Sequence, residues 1–201
     1  MAAEGMGEIV SARGRPPATT REQVSRAALR LFVERGFDQT TLADIAAELN
    51  VSRRTLFRYY ASKNDMVWDG VAVVGSRLRE QLAAARAEEP MVAALTRAVL
   101  DSHGWDPESL EDLRLRMGLI IDVPALQAHS FVQFAEWQRT VARFAAGRLG
   151  QAPEDIVPLL VAHMAFSASR AAYLRWVRFP REDLRQHMLT CYSYLGGAFA
   201  E

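Results

Sequence analysis

The sequence predicts an all-α protein, on three observations. Apolar residues along most of the 201-residue chain recur at i, i+3, i+4 and i+7 rather than at alternate positions. Hydroxyl residues followed three positions later by a carboxylate or amide stand ahead of these stripes, as in Thr20/Gln23, Thr41/Asp44 and Ser62/Asp65. Pro90, Pro107, Pro124, Pro153 and Pro180 fall at or just before further stripes, where a missing N–H costs a helix nothing. No strand run or internal repeat interrupts the pattern, and about nine helices are expected.

Taken in order, residues 1–18 read as a flexible basic arm. Arg13, Gly14, Arg15, Pro16 and Pro17 combine positive charge with too much glycine and proline for a helix. The Thr20/Gln23 pair opens a first helix whose stripe of Val24, Ala27, Ala28, Leu31 and Phe32 ends at Gly36. Thr41 opens a second, with Leu42, Ile45, Ala46 and Leu49 on its buried side. Asn50 breaks that pattern, and asparagine tolerates the left-handed backbone of a tight interhelical turn. Ser52 caps a third helix, in which Leu56 and Tyr60 anchor one side while Arg53, Arg54, Phe57 and Arg58 share the exposed one. Ser62 and Asp65 start a long helix to about residue 86. Five more are expected over about 90–103, 107–121, 124–150, 154–177 and 181–199.

Residues 41–63 carry the functional signal. Two short capped helices joined by a special turn, the second with unbalanced positive charge, are what a helix-turn-helix needs to lay a helix in the DNA major groove. From Val51 to Lys63 the basic residues are Arg53, Arg54, Arg58 and Lys63, with no acid among them. Their guanidinium groups can fork onto guanine O6/N7 or onto phosphates, and the residues leave open which does which. The first helix would brace the motif from behind. Arg13 and Arg15 of the arm can reach phosphates or the minor groove, unless the arm is no more than a solvated terminus.

Residues 19–66 resemble the DNA-binding domain of the TetR family of bacterial one-component regulators. The resemblance rests on Thr41, Leu42, Ile45 and Ala46, then Val51, Ser52, Thr55, Leu56 and Phe57, then Tyr59 and Tyr60, then Ser62 and Lys63. It implies that Arg53, Arg54 and Arg58 meet DNA, and that Thr40, Thr41, Ser52, Thr55 and Tyr59 position phosphates. It also implies that Lys63 and the helix it opens face the DNA backbone. Phe57 stands where tyrosine is usual and Arg54 where a small residue is common, so both bear on which operator is read. The stretch 57–68, with Ser62-Lys63-Asn64-Asp65 and Trp68, is also similar to regulators encoded beside mycofactocin biosynthesis genes. That similarity implies a long-chain acyl-CoA effector and a redox-cofactor operon as target.

Residues 67–201 are expected to form a helical effector-binding and dimerisation domain. Trp105, Leu113, Met117, Ile120, Phe131, Phe134, Trp137 and Phe166 provide apolar surface for a pocket, with Arg170 as its polar contact. Arg114, Arg116, His129, Gln133 and Arg175 are further polar candidates. Small residues (Ala165, Ser167, Ala168, Ser169, Ala171, Ala172) and the stripe Leu184, Met188, Cys191, Leu195 are candidates for a homodimer surface. Pairing has a mechanical reason, because two recognition helices enter adjacent major grooves only when held about 34–36 Å apart. The resemblance implies a repressor released by ligand, with activation left open. The alternative is a DNA-binding architectural or protein-interaction factor without a small-molecule ligand.

Composition bounds the remaining classes. The net charge is zero, yet residues 11–63 hold ten basic residues against five acids, so positive charge is concentrated where DNA contact is expected. The single Cys191 excludes an internal disulfide and suits a reducing cytoplasm. His103, His129, His163 and His187 lie too far apart for metal-ligand spacing, and the lone cysteine has no evident activating partner, so neither a metal site nor an enzyme is expected. No signal peptide is legible, and no apolar run approaches the roughly 20 residues of a membrane span. A double-stranded operator, a second copy of the chain and a small apolar effector are the expected partners, with no cofactor and no membrane.

Overall fold

Helix boundaries follow the capping residues closely. The computed structural model describes residues 19–198, so Arg13 and Arg15 lie outside the described residues. Nine helices and no strand are found there: α1 (Arg21–Arg35), α2 (Leu42–Glu48), α3 (Arg53–Phe57), α4 (Lys63–Ala83), α5 (Met91–Asp101), α6 (Pro107–Asp122), α7 (Pro124–Leu149), α8 (Ile156–Arg178) and α9 (Leu184–Ala198). Thr20 and Thr41 form reciprocal capping boxes with Gln23 and Asp44 at the starts of α1 and α2. Asp106 caps α6, which has Pro107 as its first residue. Gly150, at φ 65°, supplies the left-handed residue that stops α7.

Two starts fall later than expected. The segment after Pro153 becomes helical only at Ile156, and the one after Pro180 only at Leu184, where the Asp183 carboxylate accepts the Arg185 backbone N–H at 2.8 Å. The third helix is shorter than its apolar pattern promised. After Phe57 the chain tightens, the Tyr59 N–H bonding back to the Leu56 carbonyl at 2.9 Å, and Ser62 begins capping α4 at once.

One apolar core runs through the chain, from Val24, Leu31 and Phe32 of α1 to Leu184, Met188 and Leu195 of α9. The first turns of α4 bury Met66, Val67 and Trp68, and its later turns Leu78 and Leu82, so this helix belongs to both ends of the core. α8 packs against α7 and α9. By length and composition α8 is apolar enough to cross a bilayer, but its Val161, Ala162, Ala165, Ala172 and Trp176 are packed into this core.

That packing corrects part of the expected dimer surface. Ala165, Ser169, Ala172, Leu184, Met188 and Leu195 are buried inside the protomer, because the small residues of α8 admit the apolar stripe of its own neighbour α9. Ser167 and Ala171 stay exposed and Ala168 and Cys191 half-buried. Ile156, Leu159, Leu160 and Tyr194 add exposed apolar area to the same two helices.

Candidate nucleic-acid interface and effector cavity

The helix-turn-helix is assembled from local hydrogen bonds. The Thr41 hydroxyl accepts the Asp44 N–H at 3.2 Å, while the Asp44 carboxylate accepts the Thr41 N–H at 2.7 Å and its hydroxyl at 2.6 Å. These bonds hold the Asp44 carboxyl below the usual carboxylate range. Asn50, at φ 51°, is the one positive-φ residue other than glycine among the described residues, and it turns the chain between α2 and α3. The Ser52 hydroxyl then accepts the Thr55 N–H at 3.1 Å and caps α3.

α3 is fixed from one side only. Leu56 and Tyr60 are buried, whereas Ser52, Arg53, Arg54 and Arg58 are exposed, Thr55 is half-buried and the Phe57 ring is 50% exposed. Among the described residues nothing pairs with Arg53 or Arg54. Arg58 is braced, its guanidinium donating to the Tyr59 hydroxyl at 2.8 Å and lying over that ring. Below α3, Asp69 accepts Arg21 at 2.8 Å and the Tyr60 hydroxyl at 2.8 Å, tying α1 and the turn after α3 to α4. Burial pushes the Asp69 carboxyl up, but the bonds from Arg21 and Tyr60 outweigh it and hold the group below its ordinary value.

Three expected phosphate contacts are given other work by this geometry. Thr40 is 0% exposed, and its hydroxyl lies 2.8 Å from the Gly36 carbonyl and 3.2 Å from that of Leu31, so its side chain faces the core rather than DNA. The Lys63 ammonium donates to the carbonyls of Phe37 at 2.8 Å and Thr40 at 2.9 Å and sits over the Phe37 ring. Two of its three donors therefore clamp α4 to the loop before α2. The Tyr59 hydroxyl donates to the Thr19 carbonyl at 2.7 Å. Each of the three helps to fix the reading head, and Thr40 is withdrawn from its surface altogether.

At the other end, α4, α5, α6, α7 and α8 surround a cavity of about 500 Å³, within the roughly 300–1,000 Å³ range of small-molecule sites. Leu113, Met117 and Ile120 of α6, Phe134 and Trp137 of α7, and Phe166 and Arg170 of α8 all line it. Phe134 and Phe166 have ring centroids 4.9 Å apart, and Trp137 lies edge-on to Phe166 at 6.1 Å. Periodicity did not single out Val71, Val74 or Val99, nor the polar lining groups Gln138 and Tyr173, and Ser169, expected at the dimer surface, lines the cavity instead. His103 also lines the cavity. Burial lowers its pKa, outweighing the opposing bond to the Val99 carbonyl, and nearby Arg77 lowers it further.

Comparison with known proteins decides what these two sites belong to. The profile of the MftR C-terminal domain matches residues 89–200, and that of the tetR family of bacterial regulatory proteins matches residues 25–68. The mycofactocin biosynthesis transcriptional regulator MftR, as a protein of Mycobacterium tuberculosis is named, is 32% identical over 91% of this chain and 92% of its own. The chain belongs to the TetR family. It is a DNA-binding transcriptional regulator, not an enzyme, and its C-terminal domain is of the MftR type. Two solved TetR-type structures share the fold. FadR of Thermus thermophilus, in complex with lauroyl-CoA, has a TM-score of 0.59 at 23% identity, covering 90% of this chain and 96% of that one. SmeT of Stenotrophomonas maltophilia, in complex with triclosan, has a TM-score of 0.66 at 20% identity, covering 90% and 91%.

In this TetR-family chain α6 joins the two sites through Arg116, which sequence reading assigned to the pocket. Its guanidinium is buried and points away from the cavity. It donates to Asp112 at 2.6 Å, to the Met66 and Val67 carbonyls at 2.9 Å each, and to the Ser25 hydroxyl at 2.8 Å. One side chain of α6 thus ties to α1 and to α4, while its neighbours Leu113 and Met117 line the cavity. Gly70 makes room for it, since a Cβ there would lie 2.6 Å from the Arg116 Nε.

The other departures have equally local causes. Trp105 is outside the lining, donating its indole N–H to the Leu100 carbonyl at 3.0 Å and stacking behind His103 at 5.4 Å. Arg114 lies over the Trp176 ring at 4.2 Å and donates to the Pro180 carbonyl, and Arg175 pairs with Glu182. His129 and Gln133 bond to each other at 3.1 Å, one turn apart on α7 and outside the lining. The Phe131 side chain lies outside what is described. Of the arginines proposed for the pocket only Arg170 lines it.

Proposed function

We propose that the protein is a homodimeric repressor that leaves its operator when an apolar small molecule fills the cavity between α4 and α8. Residues 19–66 form the DNA-reading unit and 67–201 the effector and pairing unit. The observation that carries this reading is α6, which contributes Leu113, Met117 and Ile120 to the cavity and Arg116 to the junction with α1 and α4. A ligand that moves α6 must strain or remake those bonds, so it has different affinities for the two positions of the DNA-binding end, and the population shifts accordingly.

On the DNA side, Arg53 and Arg54 are the groups that reach base edges or phosphates, with Arg58, Ser52, Thr55 and Thr41 beside them. The exposed Phe57 ring suits a thymine methyl. On the effector side, a largely apolar lining with the exposed Arg170 suits a long-chain acyl-CoA, its chain inside and its anionic head toward the guanidinium. The complex of Thermus thermophilus FadR with lauroyl-CoA supports that ligand class, and the resemblance to MftR supports a mycofactocin operon as target. The outward apolar residues of α8 and α9, Ile156, Leu160 and Tyr194 among them, support pairing there. An architectural factor would have no use for a largely apolar cavity between its helices.

Selection of bound duplexes from random DNA, repeated with lauroyl-CoA, free fatty acids and aromatic compounds, tests the proposal. The expected result is a two-fold-symmetric site that loses the protein when acyl-CoA is added. Continued occupancy of that site by protein whose melting temperature the acyl-CoA has raised would overturn it.

A further inference from the structure

The cavity wall built from α5 and α8 has a polarity that an apolar ligand does not explain. His103 Nδ1 is 2.7 Å from the Val99 carbonyl oxygen, which can only accept, so Nδ1 carries the imidazole proton. Nε2 is then a bare acceptor, and the Tyr173 hydroxyl, 2.6 Å away, spends its only proton on it. One turn earlier on α8, Ser169 repeats the arrangement. Tyr192 donates to the Ala165 carbonyl at 3.1 Å, so Ser169, 2.9 Å from the Tyr192 oxygen, is the donor in that pair. Tyr173 and Ser169 both line the cavity, and both meet it with their protons committed and lone pairs left over. Arg170, Gln127, Gln138 and Ser167, lining groups with donors to spare, belong to the more exposed side.

We propose that this wall is an acceptor subsite, and that the effector carries a hydrogen-bond donor, a hydroxyl on its otherwise apolar body, seated against Tyr173 Oη and Ser169 Oγ. His103 acts as a positioning residue. It fixes the direction of the Tyr173 proton and so makes the wall select donors over acceptors. An unsubstituted chain leaves these lone pairs facing hydrocarbon, whereas a hydroxyl satisfies one of them. The inference rests on the cavity being the effector site.

Binding to the full chain of dodecanoic acid, of its single-position hydroxy derivatives from mid-chain to the methyl end, and of the matching monofluoro acids tests it by calorimetry. Fluorine is close to hydroxyl in size and donates nothing. The expected result is one hydroxy isomer that binds about fivefold or more tighter than its fluoro partner. His103→Leu frees the Tyr173 proton and should weaken that preference, leaving only Ser169 Oγ as acceptor, and His103→Gln, whose amide oxygen can take the same proton, should keep it in full. Equal affinity within every wild-type pair, or tighter binding of the fluoro acids, would overturn the donor subsite and leave the effector cavity standing. A preference undiminished in His103→Leu would overturn the positioning role of His103. No heat from any acid, dodecanoic acid included, would remove the fatty-acyl reading and the subsite with it.

Discussion

The two ends of this molecule are organised at different ranges. Around α2 and α3 the caps and the turn rest on bonds that span three to five residues, Thr41 with Asp44, Ser52 with Thr55 and Val51 with Ala46, and the longer ties, Tyr59 to Thr19 and Lys63 to Phe37, stay within the DNA-reading end. Around the cavity they join distant segments, His103 to Tyr173 and Arg116 to Ser25, Met66 and Val67. A reading head whose bonds close within itself can move as a unit without being dismantled. A cavity made of long-range bonds changes shape only when helices shift against one another, and α6 carries that shift from one to the other.

Breaking the junction should have the largest effect. Arg116→Met removes four charge-assisted hydrogen bonds from a buried site and should lower stability by about 3 kcal/mol. In the fraction that folds, denaturant melts should report that loss and DNA titrations a weakened response to effector. Gly70→Ala strikes the same junction from α4, where the added Cβ meets a guanidinium held on every side. Overpacking of this kind costs about 1–3 kcal/mol, and an unchanged melting temperature would show that Arg116 can yield. Arg54→Ala sharpens the contrast, because its loss belongs to the DNA-reading end alone. Operator affinity should fall by about 1–3 kcal/mol while the melting temperature stays unchanged.

The smallest effect belongs to the cavity end alone. His103 has a folded-state pKa below 6.5, so as pH falls through 6.5 the unfolded chain takes up a proton before the folded one does. Its contribution is fully present above that pH and is lost progressively down to the lowered folded value. The carboxylates of Asp69, Glu89 and Asp106 act in the same direction but at lower pH, because their folded values lie below the ordinary carboxylate range. Melting temperature should therefore decline on mild acidification, and His103→Gln should flatten that decline.

The same contrast in range explains what the sequence could tell. The caps at Thr20, Thr41 and Ser62 and the turn at Asn50 are local features with local signatures, and the structure has all of them. Leu113, Met117, Ile120, Phe134, Trp137 and Phe166 were legible as a group, because large apolar residues on successive helices must face a common interior. Arg116 was not, since nothing in its neighbourhood distinguishes a guanidinium aimed at a cavity from one aimed at the backbone of a helix 49 residues away. Thr40 misled, and the Lys63 bonds to its own chain were not foreseen, for a related reason. A hydroxyl or ammonium beside a DNA-reading motif is equally suited to phosphate and to a carbonyl of its own chain, and only the fold decides which is nearer. The small residues of α8 marked a close helix approach without saying whether α9 or a second protomer would make it.

Reciprocal linkage tests the coupling of cavity to reading head most directly. If filling the cavity weakens operator binding by some factor, operator binding must weaken effector affinity by the same factor. Lauroyl-CoA affinity would be measured for the free protein and for the protein saturated with its selected operator. The expected result is weaker binding to the DNA complex, by the factor found in the converse titration. Equal affinity for both forms would contradict any coupling through α6.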